Sequence, residues 1–387
     1  MVTPARAATG VGVGPEPSAA LEAALETLTA RLAGAQCDVA CAFIGSAYSG
    51  AAAEIAGALA GVTRQASIGV TAQGVVADAA ELEQPEALVV WGLAADGIEA
   101  TATRYDSPDD GGVEWPPPPS TAHGLIMLAD PFTFRPDAFL GWLAQARPDL
   151  PVVGGLASGG ARPGGNRLLI DGAVHDGGAV GLALGGPLRL RTLVSQGCRP
   201  VGQPLVVTAA ERNLITGLAG APPTEQLRAL YQSADEHDRE LLRSGLQLGV
   251  VIDEYAESHE PGGFLIRPLL GAQTETGALA VGGHVHVGQT VQFHVRDADS
   301  ADADLRALLD GFATATAPAG GLLFTCNGRG TRLFGAPDHD AALVHAALGG
   351  VPLAGFFAAG ELGPVAGRSA VHGFTASLLT VEAEGQG

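Results

Sequence analysis

The strongest constraint on how this chain can fold is an order of segments that recurs three times. An apolar strand-like run comes first, then a turn rich in Gly, Ser and Pro, then a helical stretch. A second short apolar run ends in small residues and Gly, and a turn and one further strand complete the unit. In the first occurrence DVACAF (Asp38–Phe43) opens, SAYSGAAAEIAGALAG supplies the turn and an Ala-rich helix, QASIGV (Gln65–Val70) is the second strand and ALVVWGL (Ala87–Leu93) closes. In the second, GLIMLA (Gly124–Ala129), a helix over Pro136–Ala146, LPVVGGL (Leu150–Leu156), the turn ASGGARPGG and AVGLAL (Ala179–Leu184) take the same roles. In the third they are GLLFT (Gly321–Thr325), a helix over Asp338–Leu348, VPLAGF (Val351–Phe356), the turn AAGELGPVAG and GFTASLLT (Gly373–Thr380). A strand–helix–strand crossover sets its two strands side by side and parallel. The pattern predicts an α/β protein with repeated strand–helix–strand units in mixed sheets flanked by helices. A layered α/β/β/α packing is one way to arrange them.

A different block separates the second and third occurrences. Pro204–Ala209, Asn213–Leu218, Leu246–Ile252, Phe264–Leu270, Ala278–Val281 and Thr290–Arg296 are short apolar runs with Gly-bearing turns. They predict an antiparallel meander in the C-terminal half. Helical patterning runs from Thr224 to about Ser244, and a last helix is expected over Asp302–Ala313. The expected division is an N-terminal tail and helix (1–36), an N-terminal domain (37–190) and a C-terminal domain (191–387), with the boundary near Gly186–Arg199. Ser18 suits the N-cap of a leading helix to Leu32, because its hydroxyl can accept an otherwise unmatched N–H. The tetraproline Pro116–Pro119 reads as a stiff surface connection.

Composition narrows the class. The chain is 47% hydrophobic and 16% charged, so it has the apolar surface to offset chain entropy and is not largely disordered. Its 21 basic and 41 acidic side chains give a formal net charge of −20. That field repels phosphate backbones and anionic lipid, so neither nucleic acid nor membrane is an expected partner. The opening MVTPARAATGVGVGPEPS lacks the apolar core of a signal peptide, and no run is long enough to span a bilayer. The four cysteines are too few for a disulfide scaffold. These features predict a cytoplasmic protein with reduced thiols.

Open α/β sheets bind ligands where turns leave the carboxyl ends of strands. Three turns qualify: Cys326–Gly330, Ala358–Pro364 and Ser158–Arg162. Glu361 is a lone acid among apolar and glycine residues, Arg267 a lone base within FLIRPLL, and Arg329 the base of CNGRG. Charges in such surroundings need partners or ligands, and an Arg–Glu pair is compatible with a ligand role. The candidate ligand-binding residues are Arg267, Cys326, Asn327, Gly328, Arg329, Gly330, Gly360, Glu361 and Ser158. Arg329 or Arg267 would take a carboxylate, Asn327 would orient it, Glu361 would take an ammonium and Cys326 would give apolar packing. Cys326 is also the candidate nucleophile of an alternative enzyme reading, with His339 as base and Asp338 as orienter. NGRG and GGLASGG lack the lysine or the distal acid of nucleotide motifs. His284 and His286 alternate on one expected strand face near His294, but no fourth ligand accompanies them, so no metal is expected. Cys37 and Cys41 read as buried small hydrophobes.

Several stretches resemble a known family. SQGCRPVGQPLVVTAAERNLITGLAGAPPTEQLRALY, FLIRPLLGAQTETGALAVGGHVHVGQTVQFHVRD, LLFTCNGRGTRLFG, VPLAGFFAAGELGPV and VHGFTASLLTV look like the C-terminal domain of FIST (F-box and intracellular signal transduction) proteins. QASIGVTAQGVV and LPVVGGLASGG look, more loosely, like the FIST N-terminal domain. The likeness runs from about Cys37 onward. It implies a sensory module of signal transduction that binds a small ligand such as an amino acid. Some members carry attached signalling domains, one lies in an F-box protein and some bind haem. No such attached segment is recognisable here, so any output partner is expected to be a separate chain. No haem-ligating histidine can be matched, His175 and His372 being bare candidates, and no cofactor is expected. The expectation is a stand-alone FIST-type sensory protein holding an amino acid or related metabolite at strand-end Gly-rich turns. A cysteine-dependent enzyme built on Cys326 and a non-catalytic interaction scaffold are the alternatives. Ligand identity and oligomeric state stay open.

Overall fold

The computed structural model describes residues 5–107, 115–254, 263–312 and 317–383. The chain forms two compact units. One takes in Met1–Val194, Arg306–Val371 and Ala376–Gly387, the other Ser195–Leu305 with His372–Thr375. The chain leaves the first unit after Val194. The chain returns at Arg306, so the third repeat packs with the first two.

All three repeats are present, with the same internal pairing. The opening and second strands run parallel: Val39–Gly45 beside Ala66–Ala72, Ala122–Ala129 beside Val152–Leu156, and Gly320–Cys326 beside Leu353–Ala358. The closing strands Ala87–Ala94, Ala179–Gly185 and Thr375–Ala383 lie antiparallel on the other side of each opening strand. The turns after the second strands carry short hairpins: Val75–Ala77 with Ala80–Leu82, Leu168–Ile170 with Ala173–His175, and Glu361–Val365 with Arg368–His372.

None of these hairpins extends the sheet of its own repeat. The first repeat's hairpin pairs with Leu353–Ala358 of the third, the second's with Ala66–Ala72 of the first, and the third's with Val152–Leu156 of the second. The strand after each closing strand moves on in the same way. Glu99–Tyr105 joins the second repeat's sheet and Leu188–Gln196 the third's. The N-terminal strand Arg6–Val13 takes the equivalent place on Ala87–Ala94 of the first. The product is three six-stranded mixed sheets linked by a cyclic exchange of hairpins.

Among its described residues the first unit thus holds three sheets, not the two of an α/β/β/α sandwich, and their inner faces share one core. Phe43 of the first repeat meets Phe324 and Phe356 of the third at ring separations of 6.2 and 5.6 Å, and Ile126 and Leu128 of the second join the same cluster. Each fully buried Phe contributes about 1.5–3 kcal/mol. Helices cover the outer faces. Pro17–Leu32 and Ala52–Val62 pack on the first sheet and Pro136–Ala146 on the second. His339–Ala347 of the third repeat buries Asp340, Ala341 and Val344.

The strand Arg6–Val13 has no counterpart in the sequence reading, which placed only a tail before the leading helix. Its glycines record close contact. A Cβ at Gly10 or Gly12 would stand 1.9 or 1.8 Å from the carbonyl oxygens of Ala24 or Ala20 in the helix Pro17–Leu32. That helix starts at Pro17 with Glu16 as its N-cap residue, so Ser18 lies inside the first turn. Proline suits that first position because its missing N–H would have had no partner.

The second unit contains the expected meander, which closes on itself. Cys198–Glu211, Leu214–Leu218, Leu279–Val281, Phe264–Ala272, Leu246–Val251 and Thr290–Arg296 form a six-stranded antiparallel barrel. Val201, Ile215, Leu248, Val281, Val291 and Phe293 belong to its apolar core. The helix expected from Thr224 is two, Pro223–Ser233 and Glu236–Gly245. Asp235 caps the second by accepting the Asp238 N–H at 2.8 Å. The helix Ala298–Phe312 covers most of the last expected one, whose final residue, Ala313, lies outside the described residues. No described helix is long and apolar enough to cross a membrane.

Candidate functional site

The carboxyl ends of the three second strands meet and bond to one another. The Gly159 N–H donates to the Thr71 carbonyl at 3.2 Å, Phe357 N–H to Gly74 at 3.0 Å, and Ala359 N–H to Leu156 at 2.9 Å. Leu156 N–H donates in turn to Gly360 at 2.8 Å. Ser158 ties all three repeats. Its Oγ accepts the Gln73 N–H at 2.9 Å and donates to the Phe357 carbonyl. Ser158 and Gly360 are therefore joints of this junction.

At the end of Gly320–Cys326 the chain turns sharply, with Arg329 N–H donating to the Cys326 carbonyl at 2.9 Å. Gly330 has φ of 57°, and a Cβ there would stand 2.8 Å from both Glu83 Oε1 and the Phe357 ring, so the position requires glycine. The turn drives Arg329 inward, where it is fully buried. Its Nε and Nη2 reach Asp340 Oδ2 and Oδ1 at 2.6 and 2.9 Å, a bidentate pair. Thr325 Oγ1 donates to Asp340 Oδ2 at 2.7 Å, and His339 Nδ1 lies 3.0 Å from Oδ1. His339 also stacks on Phe334 at 3.4 Å. Burial opposes ionisation of Asp340, but the Arg329 charge and the hydrogen bonds outweigh it, so the carboxyl sits well below the usual range. Burial likewise opposes the charge on Arg329. Asp340 first, then Cys326 and Glu361, more than restore it.

Where an Arg–Glu pair was expected, Arg329 is joined bidentately to Asp340, and the charge of fully buried Glu361 also favours the guanidinium. Arg329 stands behind the turn and away from solvent. Cys326 is 5% exposed, and its Sγ receives the Gly328 N–H at 3.4 Å. Asp338 Oδ1 accepts the Glu81 N–H at 2.6 Å, and it is Asp340 Oδ1 that lies 3.0 Å from the His339 imidazole. Arg267 sits on the barrel strand Phe264–Ala272 of the other unit, beside Gly283.

In front of the turn lies a cleft of about 120 Å³ lined by Gln73, Gly74, Glu83, Asn327, Arg332 and Phe357. The first repeat supplies Gln73, Gly74 and Glu83, and the third supplies the rest. Glu83 accepts from Thr331 N–H and Oγ1, both at 2.8 Å. Arg332 Nη1 donates to the Asn327 carbonyl at 3.1 Å. The wall thus offers a carboxylate, a guanidinium, two amide side chains and an aromatic ring. Of the expected residues Asn327 lines this cleft, while Cys326, Gly328, Arg329 and Gly330 form the turn behind it. Gln73, Glu83 and Arg332 escaped the sequence reading. The repeat pattern could have found Gln73–Gly74, since these residues follow the second strand of the first repeat as Ser158 and Gly360 follow the others.

The remaining candidates lie apart. His284 and His286 are exposed on a loop with Val285 buried between them, while His294 is buried on the strand Thr290–Arg296. No group of three metal-ligating side chains occurs among the described residues. All four cysteines are free and buried, and burial pushes the Cys37 thiol up to about 11. His175 belongs to the first unit and His372 to the second.

The FIST N domain matches residues 38–221 and the FIST C domain residues 224–364. An uncharacterized protein of Mycobacterium tuberculosis is 44% identical over 381 residues, covering 95% of this chain and 98% of its own length. One of Mycobacterium bovis is 43% identical over 391 residues, covering 95% and 97%. Two matched domains over most of the chain and full-length relatives at this identity show that the protein belongs to the FIST family, whose domains serve signal transduction.

Proposed function

We propose that this protein is a cytoplasmic sensory module that binds a small metabolite, an amino acid or a related compound, in the cleft between the first and third repeats. The carrying observation is that Glu83, from the first repeat, and Arg332, from the third, both line the wall of one small cleft. A zwitterion fits such a wall, with Arg332 taking the carboxylate and Glu83 the ammonium. Gln73 and Asn327 add directional hydrogen bonds, and Phe357 packs on the aliphatic part. Cys326, Gly328, Arg329 and Gly330 hold the turn that presents Asn327 and Arg332. Ser158, Gly360 and Glu361 fix the junction that presents Gln73. Binding is the function, with no turnover required.

Thermal shift against a panel of L-amino acids and small carboxylates tests the reading. A ligand that binds only the folded state raises the melting temperature with concentration. Wild type should be stabilised by at least one zwitterion, and Arg332→Gln and Glu83→Gln should each abolish the shift. Stabilisation that survives both substitutions would refute the assignment.

A further inference from the structure

We infer that Glu81 makes the cleft proton-sensitive: it is protonated in the closed, ligand-binding form, and its ionisation releases the helix His339–Ala347 from the first repeat's hairpin. The inference rests on the function proposed above and concerns regulation of the same cleft.

The geometry is that of a carboxyl wedged against a helix start. Glu81 is 5% exposed on the hairpin strand Ala80–Leu82. Its Oε1 accepts the N–H groups of Asp340 and Ala341 at 3.1 and 3.2 Å, two of the first donors of a nine-residue helix. Its Oε2 is buried and has no hydrogen-bond partner among the described residues. The groups that face it are Asp340 on the helix, Asp338 at the helix start, His339 between them and Glu83 on its own hairpin, with Arg329 behind Asp340. Arg329 is already engaged bidentately by Asp340, so a charge on Glu81 would face Asp340 and Glu83 at low dielectric. Burial first, and then the Asp340 charge, push the Glu81 carboxyl up to about 7.

The same short hairpin segment carries both acids. Glu81 grips the helix start, and Glu83 grips Thr331 and lines the cleft. Moving the hairpin away from the helix relieves the buried charge of Glu81 and displaces Glu83 from the turn. Ligand binding and proton binding are therefore coupled, each favouring the other.

Two measurements on the full chain test this. Hydrogen exchange by mass spectrometry, corrected for intrinsic rates, follows the peptide spanning 338–342 between acid and alkaline pH. Above neutrality, protection in wild type should fall up to about tenfold per pH unit, while Glu81→Gln, which keeps the acceptor, should give a flat profile. Calorimetry of the tightest-binding L-amino acid of the panel should show wild-type Kd rising in parallel and the variant Kd constant. Wild-type protection that is constant with pH overturns the inference, and so does a Kd that fails to follow it. If nothing binds at any pH while protection still falls, the sensory reading fails and the Glu81 response stands. The wild-type titrations decide the question even if the variant does not fold.

Discussion

Asp340→Ala probes the ion pair on which the turn is built. Arg329 and Asp340 are both fully buried and joined at 2.6 and 2.9 Å, and Thr325 Oγ1 donates to the same carboxylate. Removing the carboxylate leaves a buried guanidinium without its bidentate partner and a buried hydroxyl without its acceptor. Breaking one side of a buried pair costs about 3–5 kcal/mol, which lowers the melting temperature of a unit of this size by on the order of ten degrees. Differential scanning calorimetry and urea unfolding measure it, with the midpoint moving and the slope unchanged. The double variant Arg329→Met with Asp340→Leu removes both charges of the pair and should regain part of the loss, the rest being held back because buried Glu361 loses the Arg329 charge. A loss below about 1 kcal/mol for Asp340→Ala, or a double variant less stable than the single one, would refute this account of the turn.

Two further perturbations test neighbouring claims. Burial pushes His294 down to about 4, so the folded barrel binds fewer protons than the unfolded chain between about 4 and 6.5, and stability falls as pH drops through that window. His294→Phe should remove up to about 3 kcal/mol of that acid sensitivity while keeping the edge contact with Phe264, as acid titration of barrel unfolding by circular dichroism would show. Gly330→Ala forces a Cβ to 2.8 Å from Glu83 and Phe357 at a positive φ, and should cost roughly 1–3 kcal/mol while weakening ligand binding. Unchanged calorimetric stability and affinity would show that the turn tolerates another shape.

Much of the fold is legible in the order of segments. Apolar runs with a helix between them give parallel pairs wherever Asp38, Gly124 and Gly321 begin a repeat. The exchange of hairpins is not legible, because QASIGV followed by VVADAAEL describes the same local structure whichever sheet receives it. Pairing between repeats depends on inner-face packing such as Phe43 against Phe356, which no local pattern encodes. The strand Arg6–Val13 was hidden because its glycines serve contact with a helix, and alternating Gly lacks a strand's apolar signature. At the site, CNGRG marks the turn and Arg329 reads as a charge needing a partner. The partner Asp340 sits eleven residues on, and the strand Gly320–Cys326 with the helix His339–Ala347 folds it back onto Arg329. Glu81 and Glu83 look like ordinary surface acids in AELEQ until the hairpin carries them to another repeat.

The position of a bound zwitterion tests the central claim most directly. A crystal structure with the most strongly stabilising amino acid of the panel should show its carboxylate on Arg332, its ammonium toward Glu83 and its side chain against Phe357. A ligand seated elsewhere, with the cleft holding only water, would contradict the assignment.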